Sequence, residues 1–361
     1  MDGWSLSFII IFTVAALVPA IWSIVGVIQG KKEFWPAVIG TIWAVILLIA
    51  YFIAMAADWG GCDASFSGSA IRCQTESCLN PDPSGDQCGT RCTGATAGNY
   101  CPGDARPVFE YCETHVEGKV KQPWSTWSDL SFVAAGIWIM FILAFVDNKV
   151  NRRNSLINPM RHIGWLSMTY GMIVIFMGPA SMLLHSAMKD WTGWFDSMSV
   201  TLWLSFNAAY ALYLFFFKSY NLGNDLSRIL SVLLFTLLLI LIFGIWGVVD
   251  SSARMYGFFA GGVLWGLAEF AFFIRQAFKC QSTKLKRTYW VFGVYLITLA
   301  VTMTIWVFFN PDVVSAANCQ SRESFPGHAI FHILAAVATM LVFWSFATEE
   351  EINQMPSNQN T

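Results

Sequence analysis

Long apolar runs separated by short polar stretches recur along most of the chain. Nine of them are long enough for a helix to cross the hydrocarbon of a bilayer, which takes about 20 mostly apolar residues. They cover approximately 5–29, 36–57, 128–147, 163–186, 195–217, 229–249, 255–275, 288–309 and 328–347. The rhythm breaks once, over 58–125, a stretch rich in Gly, Ser, Thr, Asp and Pro with no sustained apolar period. Such a segment cannot bury a useful core, so little regular secondary structure is expected there and disulfides would have to hold its shape. The pattern divides the chain into two N-terminal transmembrane helices (1–57), a Cys-rich outer loop (58–125), a block of seven helices (126–347) and an acidic cytosolic tail (348–361) that reads as disordered. The first two helices read as an appendage to the seven. The first run is too long for a signal-peptide core and is preceded by Asp2 rather than a basic residue, so it is expected to be a retained helix.

Composition agrees with this pattern. Hydrophobic residues make up 56% of the chain and charged residues 12%, against about 25% charged in soluble domains. The expected fold is all-α and polytopic. A net charge of −2 gives no basis for nucleic acid as a partner.

Nine crossings put the termini on opposite sides, and the basic residues choose the orientation. With the N-terminus outside, Lys31, Lys32, Lys149, Arg152, Arg153, Arg161, Lys218, Arg228, Arg275, Lys279, Lys284, Lys286 and Arg287 fall in cytosolic loops. Short outer loops then hold only Lys189, Arg254 and Arg322, as the positive-inside rule requires. Cysteine is an independent check. Cys62, Cys73, Cys78, Cys88, Cys92, Cys101 and Cys112 crowd the long outer loop, Cys319 falls on the same side, and Cys280 is left alone in the cytosol. An even set on the oxidising side fits a disulfide framework. A zinc knuckle in this loop is disfavoured, because the spacings are irregular and no His lies among the cysteines.

The histidines carry the chemistry. There are five, and His328 and His332 stand at i, i+4 in Gly-His-Ala-Ile-Phe-His at the start of the last run. That spacing sets two imidazoles on one helical face, about 6 Å apart at the backbone, suited to one metal ion. Ser181 and His185 have the same spacing at the outer end of the fourth run, and Asp196 opens the fifth. In the charge-derived topology all five residues lie near the outer membrane face. An isolated His-x3-His is commonly just a pair of interfacial histidines; the coincidence with Ser181, His185 and Asp196 favours a metal. Three imidazoles with an open fourth position describe a catalytic zinc site, where zinc lowers the pKa of the water it holds to about 7. Asp196 would orient or deprotonate that water, and Ser181 would hydrogen-bond the water or the oxyanion.

At these residues the chain resembles the alkaline ceramidase family. That family sits within a superfamily of seven-helix membrane hydrolases that also holds the progestin and adiponectin receptors and the GPI-lipid remodelling proteins. The shared pattern is Ser-x3-His, an Asp eleven residues after that His, and a late His-x3-His, matched here by Ser181, His185, Asp196, His328 and His332. Cys112-Glu113 and Trp124-Ser125-Thr126-Trp127-Ser128-Asp129 are similar to the family's approach to its first core helix. The likeness covers roughly 108–347, and the two leading helices and the Cys-rich loop have no counterpart in it. It implies His185, His328 and His332 as zinc ligands, Asp196 as catalytic acid/base and Ser181 as oxyanion partner. Family members also hold calcium with an acidic cluster. Glu110 and Glu113 match two of its positions, but His115 stands in place of Asn and Gln122 in place of Glu. Losing a hard oxygen charge weakens a calcium site, so Ca2+ is not expected.

The expected function is zinc-dependent cleavage of the N-acyl amide bond of ceramide or a related sphingolipid, with a membrane lipid and water as partners and no protein partner indicated. The alternatives are a lipid esterase of the GPI-remodelling kind and a seven-helix receptor in which zinc is structural. Two further features stand out. Glu269 lies mid-helix, where a carboxylate needs a proton or a hydrogen bond to a neighbouring helix, and reads as a structural tie. Gly178-Pro179, just before Ser181, predicts a kink.

Overall fold

The computed structural model describes residues 3–57, 109–110, 113–114, 120, 122–149, 160, 164–187, 190–217, 260–271, 274, 285–308 and 326–348. The run at 229–249, the cysteines expected in disulfides, Cys280, His115, most of the basic loop residues and the tail from 349 onward lie outside the described residues. The helices are α1 (Gly3–Ile28), α2 (Trp35–Ala56), α3 (Pro123–Ser128), α4 (Leu130–Lys149), α5 (Gly164–Ala187), α6 (Asp190–Phe217), α7 (Ala260–Ala271), α8 (Leu285–Phe308) and α9 (Gly327–Thr348). Five stretches, Gly3–Ile28, Lys32–Ala56, Pro123–Phe145, Trp165–Ala187 and Gly327–Thr348, are long and apolar enough to cross a membrane. The chain is therefore an all-α, membrane-embedded protein. Its outer faces agree: Trp22 is 61% exposed and Ile53 63% exposed, within a belt of aliphatic side chains that only lipid would cover.

The described residues before the first core helix hold little regular structure: β1 (Phe109–Glu110) pairs antiparallel with β2 (Glu113–Thr114), with Glu110 opposite Glu113. Two expectations change. The core begins earlier than 128, in the short α3, and Asp129 forms the turn between α3 and α4. Asp196 does not open its helix, because α6 starts at Asp190 and carries Asp196 in its second turn.

The first two helices are not an appendage. α1 closes with Gly30 at φ 80°, where the Lys31 N–H donates to the Gly26 carbonyl at 3.0 Å and the Gly30 N–H to Val27 at 2.9 Å. This cap turns the chain tightly back into α2. Pro19 inside α1 lacks the N–H that would bond the Ala15 carbonyl. Trp138 Nε1 of α4 donates to that carbonyl instead, at 2.9 Å. In lipid an unsatisfied carbonyl would cost several kcal/mol, so the indole both repairs α1 and docks it. From α2, Trp43 Nε1 reaches the Met172 carbonyl of α5 at 3.2 Å, and Tyr51 hydroxyl lies 2.7 Å from Ser186 Oγ, next to His185. Sequence patterning misses such docking because both helices are apolar on every side.

α4 and α5 meet at Gly136. A Cβ there would lie 2.5 Å from Ile175 Cγ1, 2.7 Å from the Gly171 carbonyl oxygen and 2.9 Å from the Ile175 backbone nitrogen. Two of these atoms are backbone, so only a shift of the whole helix would make room. Gly136→Ala is expected to destabilise the bundle by about 1–3 kcal/mol, the usual range for overpacking. Thermal unfolding in detergent would show it, and an unchanged midpoint would mean the helices separate freely.

The helices bearing the site are locked together further along. Tyr170 of α5 donates to the Thr339 carbonyl of α9 at 2.8 Å and accepts from Trp203 Nε1 of α6 at 3.0 Å. Phe206, Phe343 and Phe346 pack around its ring. Glu269 has a hydrogen bond within its own helix. It accepts from Trp265 Nε1 one turn earlier at 3.2 Å, and that indole meets Trp203 of α6 edge-on at 5.3 Å.

Candidate metal centre

α9 starts at Gly327, after Pro326, so His328 and His332 occupy its first turns on one face, their ring centroids 4.5 Å apart. α5 brings His185 from the opposite side in its last turn, with its ring 5.1 Å from His328 and 5.0 Å from His332. One ligand atom from each imidazole lies within 4.8 Å of the others, and all three residues are buried. The three expected ligands thus come together although His185 precedes the other two by 143 and 147 positions.

The stretch from Gln122 to Asp129 orients the imidazoles. Gln122, fully buried, grips His185 twice: its backbone N–H donates to the His185 carbonyl at 3.0 Å, and its Oε1 accepts from Nδ1 at 2.7 Å. His332 Nδ1 faces Ser128 Oγ at 2.9 Å, Asp129 Oδ1 at 3.0 Å and the Ser125 carbonyl at 3.2 Å. The Ser128 hydroxyl proton is directed to the Ser125 carbonyl at 2.8 Å. Every group facing His332 Nδ1 is therefore an acceptor, which fixes the proton on Nδ1 and leaves the Nε2 lone pair for a metal. His185 is in the same tautomer through Gln122. Neutral imidazoles with a committed Nδ1–H are the donor set zinc takes, so the residues fit the ion that the resemblance implies.

Glu113 anchors this stretch. Its carboxylate accepts from the Trp124 N–H at 2.6 Å, the Ser125 N–H at 2.9 Å and the Ser125 hydroxyl at 2.5 Å. Pro123 occupies the first helical position, where its missing N–H costs nothing. Of the residues considered for calcium, Glu113 thus caps α3, and Gln122 holds a histidine.

Ser181, one turn before His185, lies close to the carboxylates of both Asp129 and Asp196. Gly178 permits the crowding: a Cβ there would stand 2.8 Å from the Asp129 carbonyl oxygen and 2.8 Å from Val133 Cγ2. The Gly178-Pro179 step is thus where the α3–α4 turn presses against α5. Phe132 and Phe331 wall the His332 ring at centroid distances of 6.4 and 5.5 Å.

Sequence reasoning missed Gln122, Ser128 and Asp129 as partners of the histidines. A carboxylate inside an apolar run was the available signal for Asp129, since charged groups at such depth are rarely idle. Compared with protein-family models, with curated proteins and with solved structures, the chain matches none.

Proposed function

We propose that the chain is a zinc-dependent intramembrane hydrolase that cleaves the N-acyl amide bond of ceramide or a related sphingolipid. In this reading a seven-helix core of the alkaline ceramidase kind follows the first two helices and a disulfide-bearing outer loop. The N-terminus and the site lie on the extracellular or lumenal side, and the C-terminus is cytosolic. The observation that carries the reading is the convergence of three buried histidines, two with Nδ1 committed to acceptors, beside the Ser181 and Asp196 pair.

Bound zinc would supply a Lewis acid for the amide carbonyl and lower the pKa of a water to about 7. His185, His328 and His332 would hold it. Asp196 takes the proton of the attacking water and delivers it to the amide nitrogen as the C–N bond breaks, releasing a fatty acid and a free amine. Ser181, turned from the carboxylates, donates to the developing oxyanion. The aromatic walls of Phe132 and Phe331 keep bulk water from the His332 side.

The test is hydrolysis by purified protein in nanodiscs, given a ceramide and a glycerolipid ester in parallel. Release of fatty acid and amine from ceramide, lost with a zinc chelator and restored by zinc, is expected. Ester cleavage alone would favour the remodelling-type esterase. A zinc-loaded protein with no turnover of either lipid would favour the receptor.

A further inference from the structure

His185 and His332 are held by different kinds of group. The acceptor on His185 is the neutral amide of Gln122, whereas His332 faces a carboxylate, Asp129 Oδ1, at 3.0 Å. Asp129 is fully buried and lies in the turn that Gly178 lets press against α5. A buried carboxylate there carries a desolvation cost that a serine or a backbone carbonyl would not, although either could accept the same Nδ1–H. His332 already has both, in Ser128 Oγ and the Ser125 carbonyl. Asp129 is therefore not needed to satisfy the imidazole. What it adds is a carboxylate 3.0 Å from Nδ1, whose negative charge raises the electron density at Nε2 through space and makes His332 the strongest donor of the three.

We propose that Asp129 is the positioning and tuning residue of the metal centre, acting on the ion through His332. This rests on the zinc reading above. The consequence is an asymmetric site, with His332 as the ligand that chiefly sets how tightly the ion is held and how far its acidity is moderated. Asp129 does not touch the reacting atoms. Asp196 remains free for proton transfer, with Ser181 standing between the two carboxylates.

The experiment compares full-length wild type, Asp129→Asn and Gly136→Ala in detergent. Zinc affinity is read by chelator competition and the ligand field by the visible bands of the cobalt-substituted protein, both below the unfolding midpoint. Asp129→Asn keeps the shape but not the charge, so zinc is expected to bind about 10- to 100-fold more weakly, with shifted cobalt bands. Gly136→Ala should lower the unfolding midpoint but leave affinity and bands unchanged, which separates tuning from general loosening. Should Asp129→Asn not fold, Asp129→Glu replaces it. An extra methylene displaces the oxygen from its 3.0 Å contact, and the cobalt bands are again expected to move. Wild-type affinity and bands in whichever variant folds would overturn the assignment while leaving the zinc reading intact. A wild-type protein that takes up neither zinc nor cobalt would overturn both.

Discussion

Protein carrying His328→Ala or His332→Ala is expected to purify without zinc and to have no hydrolytic activity, whereas wild type should hold about one ion per chain. Both histidines sit on the first turns of α9 with His185 facing them, and the ligand atoms of the three lie within 4.8 Å. Removing one leaves two imidazoles, short of the three protein ligands that catalytic zinc sites use. The two substitutions should differ in their structural cost. His332→Ala also removes the imidazole that stands 3.0 Å from the buried Asp129 carboxylate and leaves the Ser125 carbonyl without its partner; leaving buried polar groups unsatisfied typically costs about 1–3 kcal/mol. It should therefore lower the unfolding midpoint more than His328→Ala does. Elemental analysis alongside thermal unfolding reads both effects. Full zinc occupancy in the double variant would remove the metal centre from consideration.

Asp196→Asn should give the second large effect, a loss of about 100- to 10,000-fold in rate at unchanged zinc content, which is what a missing general base costs. Asn cannot take up a proton, but it can still accept a hydrogen bond from Ser181, so the fold should persist. Ser181→Ala should be the milder change, about 100- to 1000-fold for a lost oxyanion donor. It has a second consequence: Ser181 lies close to both carboxylates, and its removal takes a polar neighbour from Asp129 and Asp196. If Asp196→Asn instead loses zinc or stability, and wild type hydrolyses neither lipid, the aspartate is structural and the receptor reading takes over.

The helices were legible because lipid imposes a length and an apolar composition that the sequence cannot hide. The i, i+4 histidines were legible for a related reason, since one helix fixes their relation without tertiary information. Their union with His185 was inferred only from membrane level and resemblance. The second layer was not legible at all. Gln122, Ser128 and Asp129 act because α3 stops at Ser128 and the chain turns at Asp129, a break lying inside what reads as the start of one continuous run. The docking of α1 and α2 was hidden too. Trp138 finds the Ala15 carbonyl because Pro19 left it open, and that pairing joins positions far apart in the chain. The apolar run begins near Asp196 and so suggests a helix start there, whereas α6 reaches back over the polar residues to Asp190.

Gly178 has no side chain to offer any chemistry, yet it sets a limit on how this protein can vary. The lipid-facing side chains of α1 and α2 can exchange one aliphatic group for another, because fluid hydrocarbon reshapes itself around them. Position 178 has no such compliance: the space beside it is filled by the carbonyl of Asp129 and the methyl of Val133, each 2.8 Å from where a side chain would begin. A single added methyl would act as a wedge, driving the Asp129 turn away from α5 and loosening His332 and Ser181 together. Tolerance to change in this molecule thus follows whether the neighbour is liquid or backbone, rather than distance from the chemistry.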